Sequence, residues 1–195
     1  MPTIGLTGNF GMGKTTVLKM FGAIGAHTFN IDTFVHTILE NPSIIKRISK
    51  ALGESVLTRR SGKSCLNKKR VATMIFDDPE KRMAVEEIIH PEVLKMIKTA
   101  EAKILKKEPD AVIVFEVPLL FEAGYGKQFD KTVVVYTNRE NALKRLAERG
   151  FNNDEARDRM RAQMPISAKL RQADYSINNN FDLQRTEKRV KKILS

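Results

Sequence analysis

The stretch Ile4-Gly5-Leu6-Thr7-Gly8-Asn9-Phe10-Gly11-Met12-Gly13-Lys14-Thr15-Thr16 decides the fold. Its first four residues form a short apolar strand, and Gly8 to Thr15 match G-x-x-x-x-G-K-[ST] at every fixed position. A helical pattern then runs from Thr15 to Ile24. Glycines let the backbone wrap closely around a phosphate, and the N–H groups at the helix start bind its oxygens. Lys14 brings a positive charge to the β- and γ-phosphates, and the Thr15 hydroxyl is the expected Mg²⁺ ligand. Gly8, Gly11, Met12, Gly13, Lys14, Thr15 and Thr16 are the expected nucleotide-binding residues, with a nucleoside triphosphate and Mg²⁺ as the implied ligands.

Working outward, His27-Thr28-Phe29-Asn30-Ile31 reads as a second strand ending at Asp32. Ala111 to Phe115 and Thr132 to Tyr136 are nearly continuous apolar runs, the pattern of strands buried on both faces of a parallel sheet. Tyr175-Ser176-Ile177 supplies a short last strand. Helical spacing covers Asn138 to Arg149, Asn153 to Met164 and Leu183 to Leu194. The stretch from Pro42 to Glu108 is helical almost throughout, with Arg59 to Arg70 reading as a polar loop. Together these predict an α/β fold, a five-stranded parallel sheet flanked by helices. Residues 1–41 and 111–195 form its nucleotide-binding core and 42–110 an inserted helical subdomain; were the chain a kinase of the nucleotide type, the insertion would be its acceptor-substrate subdomain and 138–165 its helical lid.

The 195 residues suit one domain with an insertion, and 42% hydrophobic residues provide for a real core. One cysteine, Cys65, excludes an intramolecular disulfide and points to a reducing compartment. No apolar run approaches the ~20 residues of a membrane span, and the first residues lack a signal-peptide pattern. A cytoplasmic protein with no membrane partner is expected. The net charge of +11 is spread over the last three-quarters of the chain without a basic tail. Such a surplus suits nucleic acid or a highly phosphorylated small substrate, and many basic proteins are simply soluble and basic, so charge alone decides nothing.

GTPases, ATP-driven motors and small-molecule kinases share the phosphate loop. No Asn-Lys-x-Asp guanine-reading segment is present, and little chain remains for a motor's partner domains. Both points favour a kinase.

More selective pieces are His90-Pro91, Val117-Pro118-Leu119-Leu120-Phe121-Glu122, Arg145-Leu146-x-x-Arg149, Arg159-x-x-x-Gln163, Lys169-x-x-x-Ala173-Asp174 and Ile177-x-Asn179. With them the chain resembles the dephospho-CoA kinases along nearly its whole length. The resemblance implies ATP-dependent phosphorylation of the ribose 3′-hydroxyl of dephospho-CoA, the last step of coenzyme A synthesis. It implies no nucleic-acid partner, and no obligate protein partner is inferred. Another nucleoside- or nucleotide-type kinase is the alternative, and an ATP-dependent nucleic-acid-binding module a more distant one. Asn30, Met12, Thr15 and Asn180 depart from common family residues, yet none removes a group the chemistry needs.

The remaining residues divide between chemistry and scaffolding. Asp32 either accepts the acceptor hydroxyl's proton or orients that hydroxyl, or it caps the next helix, and one carboxylate can serve both ends. The resemblance favours catalysis. Glu116, ending the third strand, either reaches Mg²⁺ through water or pairs with a nearby cation. His90 is either a helix-end residue or, as the resemblance implies, an acceptor contact. The resemblance implies an acceptor role for Pro118, Leu119 and Glu122 and a nucleotide role for Asn179, although Glu122 equally fits loop structure. Arg139, Arg145, Arg149, Arg157, Arg159 and Arg161 crowd two helices, where most such residues face solvent. Arg145 and Arg149 share a helical face and are the expected lid arginines closing over the phosphates.

Overall fold

A computed structural model of the chain describes residues 3–60 and 62–194. β1 (Thr3–Thr7) runs through the glycine-rich loop into α1 (Lys14–Ala23), and β2 (His27–Asn30) leads directly into α2 (Ile31–Ile38). α3 (Pro42–Leu52), a hairpin of β3 (Leu57–Arg60) and β4 (Lys63–Leu66), α4 (Lys68–Asp77) and the long α5 (Pro79–Leu105) follow. The chain then returns through β5 (Ile113–Glu116), β6 (Lys131–Tyr136), α6 (Arg139–Glu148), α7 (Asn153–Arg161), α8 (Ile166–Gln172), β7 (Tyr175–Asn178) and α9 (Leu183–Leu194). Residues up to Ile31 and from Ile104 onward form one compact unit, and Asp32–Lys103 form the other. The helical unit therefore opens at Asp32 rather than at position 42.

In the first unit, five parallel strands lie in the order β2-β5-β1-β6-β7. Ile4, Leu6, Val114, Val133 and Val135 alternate onto one face, where they meet Val17, Leu18 and Phe21 of α1 and Val190 of α9. Burying each such side chain contributes about 1.5–3 kcal/mol. Elsewhere in the core Phe29 stacks on Phe115 at 5.1 Å, and Phe115 meets Phe129 at 5.7 Å. Two strands begin on the same device. The Asp130 carboxylate accepts hydrogen bonds from the Thr3 amide (2.7 Å) and hydroxyl (2.8 Å). Asp174 does the same for the amide and hydroxyl of Thr132, both at 2.7 Å.

The second unit is mainly helical, with Ile44, Ile48, Leu52, Val85, Val93 and Ile97 buried. Asn41 opens α3 by accepting from the Ser43 amide, and Asn67 opens α4 by accepting from that of Arg70. Three elements differ from expectation. The stretch from Arg59 to Arg70 is not a loop: most of the hairpin and the start of α4 occupy it, with Leu57 paired to Leu66 and Thr58 to Cys65. The expected helix to Met164 stops at Arg161, and a further helix, α8, begins after Pro165, which cannot donate to a helix ladder. β2 stops at Asn30, so Asp32 lies within the first turn of α2 rather than at a cap before it. Among the described residues no helix is long and apolar enough to cross a membrane.

Candidate active site

Parallel strands place their carboxyl ends along one edge, where ligands of open α/β sheets bind. The register sets Leu6 and Asn30 opposite Glu116, so the ends of β1, β2 and β5 are level. The phosphate loop leaves β1 at this edge. Gly13 adopts φ 90°, and a Cβ there would collide with the Asn179 side-chain amide. Gly11 adopts φ 80°, and its Cβ would meet the Ala142 carbonyl oxygen at 2.8 Å. Side chains at either position would strain the turn and close the cradle. The Asn9 carbonyl accepts from the Met12 amide (3.2 Å) and from Lys14 Nζ (3.4 Å).

Thr15 Oγ1 donates to Glu116 Oε1 at 3.2 Å, and Asn30 Nδ2 donates to Glu116 Oε2 at 3.4 Å. Glu116 is only 4% exposed. A hydroxyl and a carboxylate in contact are hard oxygen donors. They fit Mg²⁺, which takes few protein ligands and fills its octahedron with water and phosphate oxygens. Among the described residues no group of three or more His, Cys, Asp or Glu could hold a metal alone.

Asn179 stands beyond β7 and is buried. Its Nδ2 donates to the Met12 carbonyl (3.0 Å), its Oδ1 accepts from Thr186 (3.2 Å), and its own carbonyl accepts from Arg145 Nη2 (2.9 Å). Arg145 Nη1 is buried with no hydrogen-bond partner, 3.4 Å from where a Gly13 Cβ would sit. A buried unsatisfied guanidinium donor costs free energy that an anion in the loop would recover. Arg149, at the end of α6, is exposed and lies 5.7 Å from the centre of the Phe151 ring.

The Pro118–Glu122 segment is held from behind. Lys169, 0% exposed, donates to Glu122 Oε1 at 2.8 Å and to the Pro118 carbonyl at 3.2 Å. Thr7 Oγ1 donates to that carbonyl too (3.2 Å), and Glu122 also accepts from the Met164 amide (3.1 Å). Burial pushes the Lys169 ammonium below its ordinary pKa, against the opposing pull of Glu122. Leu119 remains exposed beside this anchored frame.

Lys169 and Gln163 stand in the quoted motifs with no site role expected of them, and Arg159 is one of the clustered arginines not assigned to the lid. Gln163 Oε1 accepts from the Phe10 amide at 2.7 Å, and Asn9 Nδ2 donates to the Met164 carbonyl at 3.1 Å. Arg159 lies over Phe10 (5.4 Å) and Phe151 (5.2 Å) while paired to Glu155 at 2.7 Å. Phe10, an apolar residue inside the phosphate loop, was the available signal. The first unit thus gathers the loop, Glu116, Asn179, Arg145 and Pro118–Glu122. Asp32 and His90 belong to the helical unit, His90 immediately before Pro91 within α5.

A family model described as dephospho-CoA kinase matches residues 2–185. The chain is 35% identical over 195 residues to a dephospho-CoA kinase of Aquifex aeolicus, covering 99% of this chain and 96% of that protein. A solved structure from Thermus thermophilus superposes with a TM-score of 0.85 at 27% identity, covering 98% of this chain and 95% of that one. The dephospho-CoA kinase from Campylobacter jejuni gives 0.68 at 26% identity, covering 98% and 94%.

Proposed function

The chain belongs to the dephospho-CoA kinase family, an ATP-dependent kinase on the P-loop kinase fold, and on that premise we propose how its residues divide the transfer of the ATP γ-phosphate to the ribose 3′-hydroxyl of dephospho-CoA. The loop amides of Gly11 to Thr16 cradle the β-phosphate, and Lys14 follows the γ-phosphoryl group as its charge shifts in the transition state. Arg145 turns Nη1 onto the nucleotide phosphates, and Asn179 fixes the loop beneath them. The contact between Thr15 and Glu116 carries this reading, because it sets a metal-ligating hydroxyl against a buried carboxylate at the foot of the phosphate cradle. Mg²⁺ held there would neutralise charge on the β- and γ-oxygens.

On the acceptor side, Asp32 takes the proton of the 3′-hydroxyl as that oxygen attacks phosphorus, and ADP leaves with the electron pair of the broken bond. His90, Pro118 and Leu119 line the acceptor, and Glu122 serves it through the loop it holds. Arg149 closes with the segment 138–165 to exclude water. We assign the reaction to the cytoplasm, in keeping with the lone cysteine. No nucleic-acid, membrane or obligate protein partner enters it. A coupled ADP-release assay comparing dephospho-CoA with adenosine, AMP and pantothenate tests the reading. Turnover should be selective for dephospho-CoA, and none above background with it would overturn the proposal.

A further inference from the structure

The junction between α7 and α8 touches two loops of the first unit at once. Gln163 Oε1 accepts from the Phe10 amide at 2.7 Å, and the Met164 carbonyl accepts from Asn9 Nδ2 at 3.1 Å. Two adjacent residues thus hold two adjacent residues of the phosphate loop. The amide of the same Met164 donates to Glu122 Oε1 at 3.1 Å, and that oxygen also takes the Lys169 ammonium at 2.8 Å. The junction is stiff. Pro165 sits at φ −52° and confines Met164 to extended conformations, so the spacing between the two hydrogen-bonding groups of Met164 has little freedom. It is also costly. Asn9 is 5% exposed, and its Oδ1 is buried with no hydrogen-bond partner among the described residues. Turning the amide over would set Oδ1 against the Met164 carbonyl, two acceptors in contact, so the link to Met164 is what strands it. An acceptor left unsatisfied to keep one contact asks for a reason beyond packing.

We propose that Gln163 and Met164 are positioning residues for the phosphoryl transfer: they join the phosphate loop to the Pro118–Glu122 segment, so that nucleotide in the loop orders the segment and acceptor on the segment tightens nucleotide. The acceptor half rests on the assignment of Pro118 and Leu119 to dephospho-CoA. Phosphate held by the loop amides removes freedom from Asn9 and Phe10. Gln163 and Met164, bonded to that pair, then lose less entropy in keeping their own bonds, and the Met164 amide stays on Glu122. Glu122 and Lys169 pass the restraint to the Pro118 carbonyl, which Lys169 Nζ and Thr7 Oγ1 each bind at 3.2 Å. Such a coupling is one free energy shared by two sites, so each ligand changes the other's affinity by the same factor. Gln163 and Met164 act through the two loops and not on the reacting atoms. Their service is the placement of those loops, where an error of about 1 Å costs about 10²-fold in rate.

The segment carries its own reporters. The amides of Ala123, Gly124 and Tyr125 donate to the carbonyls of Leu119, Phe121 and Leu120, so their hydrogen exchange reads local opening of the segment. In the unsubstituted chain the non-hydrolysable analogue AMP-PNP with Mg²⁺ should slow this exchange about fivefold or more. The amides of β6, deep in the sheet, exchange by global opening and should slow with nucleotide as well. Gln163→Met keeps the length of the side chain and deletes the acceptor for Phe10. There the segment's response should vanish while β6 still slows, because nucleotide still binds. Gln163→Glu restores an accepting oxygen and should restore the response. Calorimetry supplies a second arm: dephospho-CoA should bind about fivefold or more tighter with AMP-PNP present, and that ratio should approach one in Gln163→Met and recover in Gln163→Glu. A charge at position 163 that weakens nucleotide equally with and without acceptor cancels in the ratio. A segment response missing from the unsubstituted chain, intact in Gln163→Met, or absent from Gln163→Glu overturns the proposal whatever dephospho-CoA does. Loss of the β6 response in Gln163→Met would make Gln163 a structural residue and overturn its positioning role. If the segment responds as expected in all three chains and none binds dephospho-CoA, the junction's role stands and the acceptor assignment falls.

Discussion

At the scale of single residues, the site asks each side chain for one physical service, and substitution separates these services. Lys14→Ala removes the cation that tracks the migrating phosphoryl group but leaves the loop amides. The kcat should fall by about 10²–10³, and ATP affinity by much less. Near-normal kcat would remove Lys14 from the transition state. Asp32 lies exposed in the first turn of α2, so its carboxylate also interacts with the helix dipole. Asp32→Asn keeps the shape and should lower kcat by roughly 10²–10⁴ while changing stability by less than about 1 kcal/mol. Single-turnover rate, ATP binding and melting temperature on one preparation decide the matter, and normal phosphoryl transfer would end its role as base. Lys169 differs in kind: its side chain is fully buried, and Glu122 and the Pro118 carbonyl depend on it. Lys169→Met deletes a buried ion-pair partner and should cost about 3 kcal/mol. Chemical denaturation measures this directly, and a loss below 1 kcal/mol would mean the pair contributes little.

At the scale of elements, the sheet was legible where its signals were local and repeated. β5 and β6 carry runs of consecutive apolar side chains that only a sheet covered on both faces accommodates, and β1 is marked by the glycine-rich loop that it enters. The hairpin was not legible: Thr58, Arg59, Ser64 and Cys65 carry no sustained apolar alternation, and among the described residues the buried ones stand at its ends, as Val56 and Leu66. α8 was hidden for another reason. Its inward residue is Lys169, which sequence patterning assigns to solvent, and only the distant Glu122 makes its burial tolerable. The paired anchors at Asp130 and Asp174 were equally invisible, since each carboxylate serves a threonine far away in sequence. They lead to a pH prediction. Hydrogen bonds from Thr3 and Thr132 hold both carboxyls below the usual range. The unfolded chain therefore binds more protons than the folded one around pH 4 and below, and stability falls as pH drops through that region. Asp130→Asn and Asp174→Asn should each lower the melting temperature at pH 7, and the difference from the parent should shrink by pH 3. A difference that is constant with pH would show that the lost charge is not the cause.

At the scale of the whole molecule, the net charge of +11 suits a phosphorylated small substrate, a nucleic-acid polymer, or a basic protein with no such ligand, so binding has to decide among them. The charge is locally balanced where it is densest. Arg157, Arg159 and Arg161 pair with Asp154, Glu155 and Asp158 along their own helix. Other cations converge on compact sites: Lys14 and Arg145 belong to the phosphate-loop region, and Lys68 and Lys69 border the cavity of the helical unit. A kinase of this kind should respond thermodynamically to a nucleotide, which binds the folded chain and not the unfolded one. ATP with Mg²⁺ at a hundred times its dissociation constant stabilises by about 2.7 kcal/mol, which for a chain of this size raises the melting temperature by roughly 5–10 °C. Duplex DNA at matched phosphate concentration should raise it by less than about 1 °C at physiological salt, because a polymer needs many spaced phosphate contacts. The two ligands give opposite answers under the first two explanations. A large shift with DNA that collapses as salt is raised, together with no shift from ATP, would assign the charge to nucleic acid and leave the phosphate loop without its ligand.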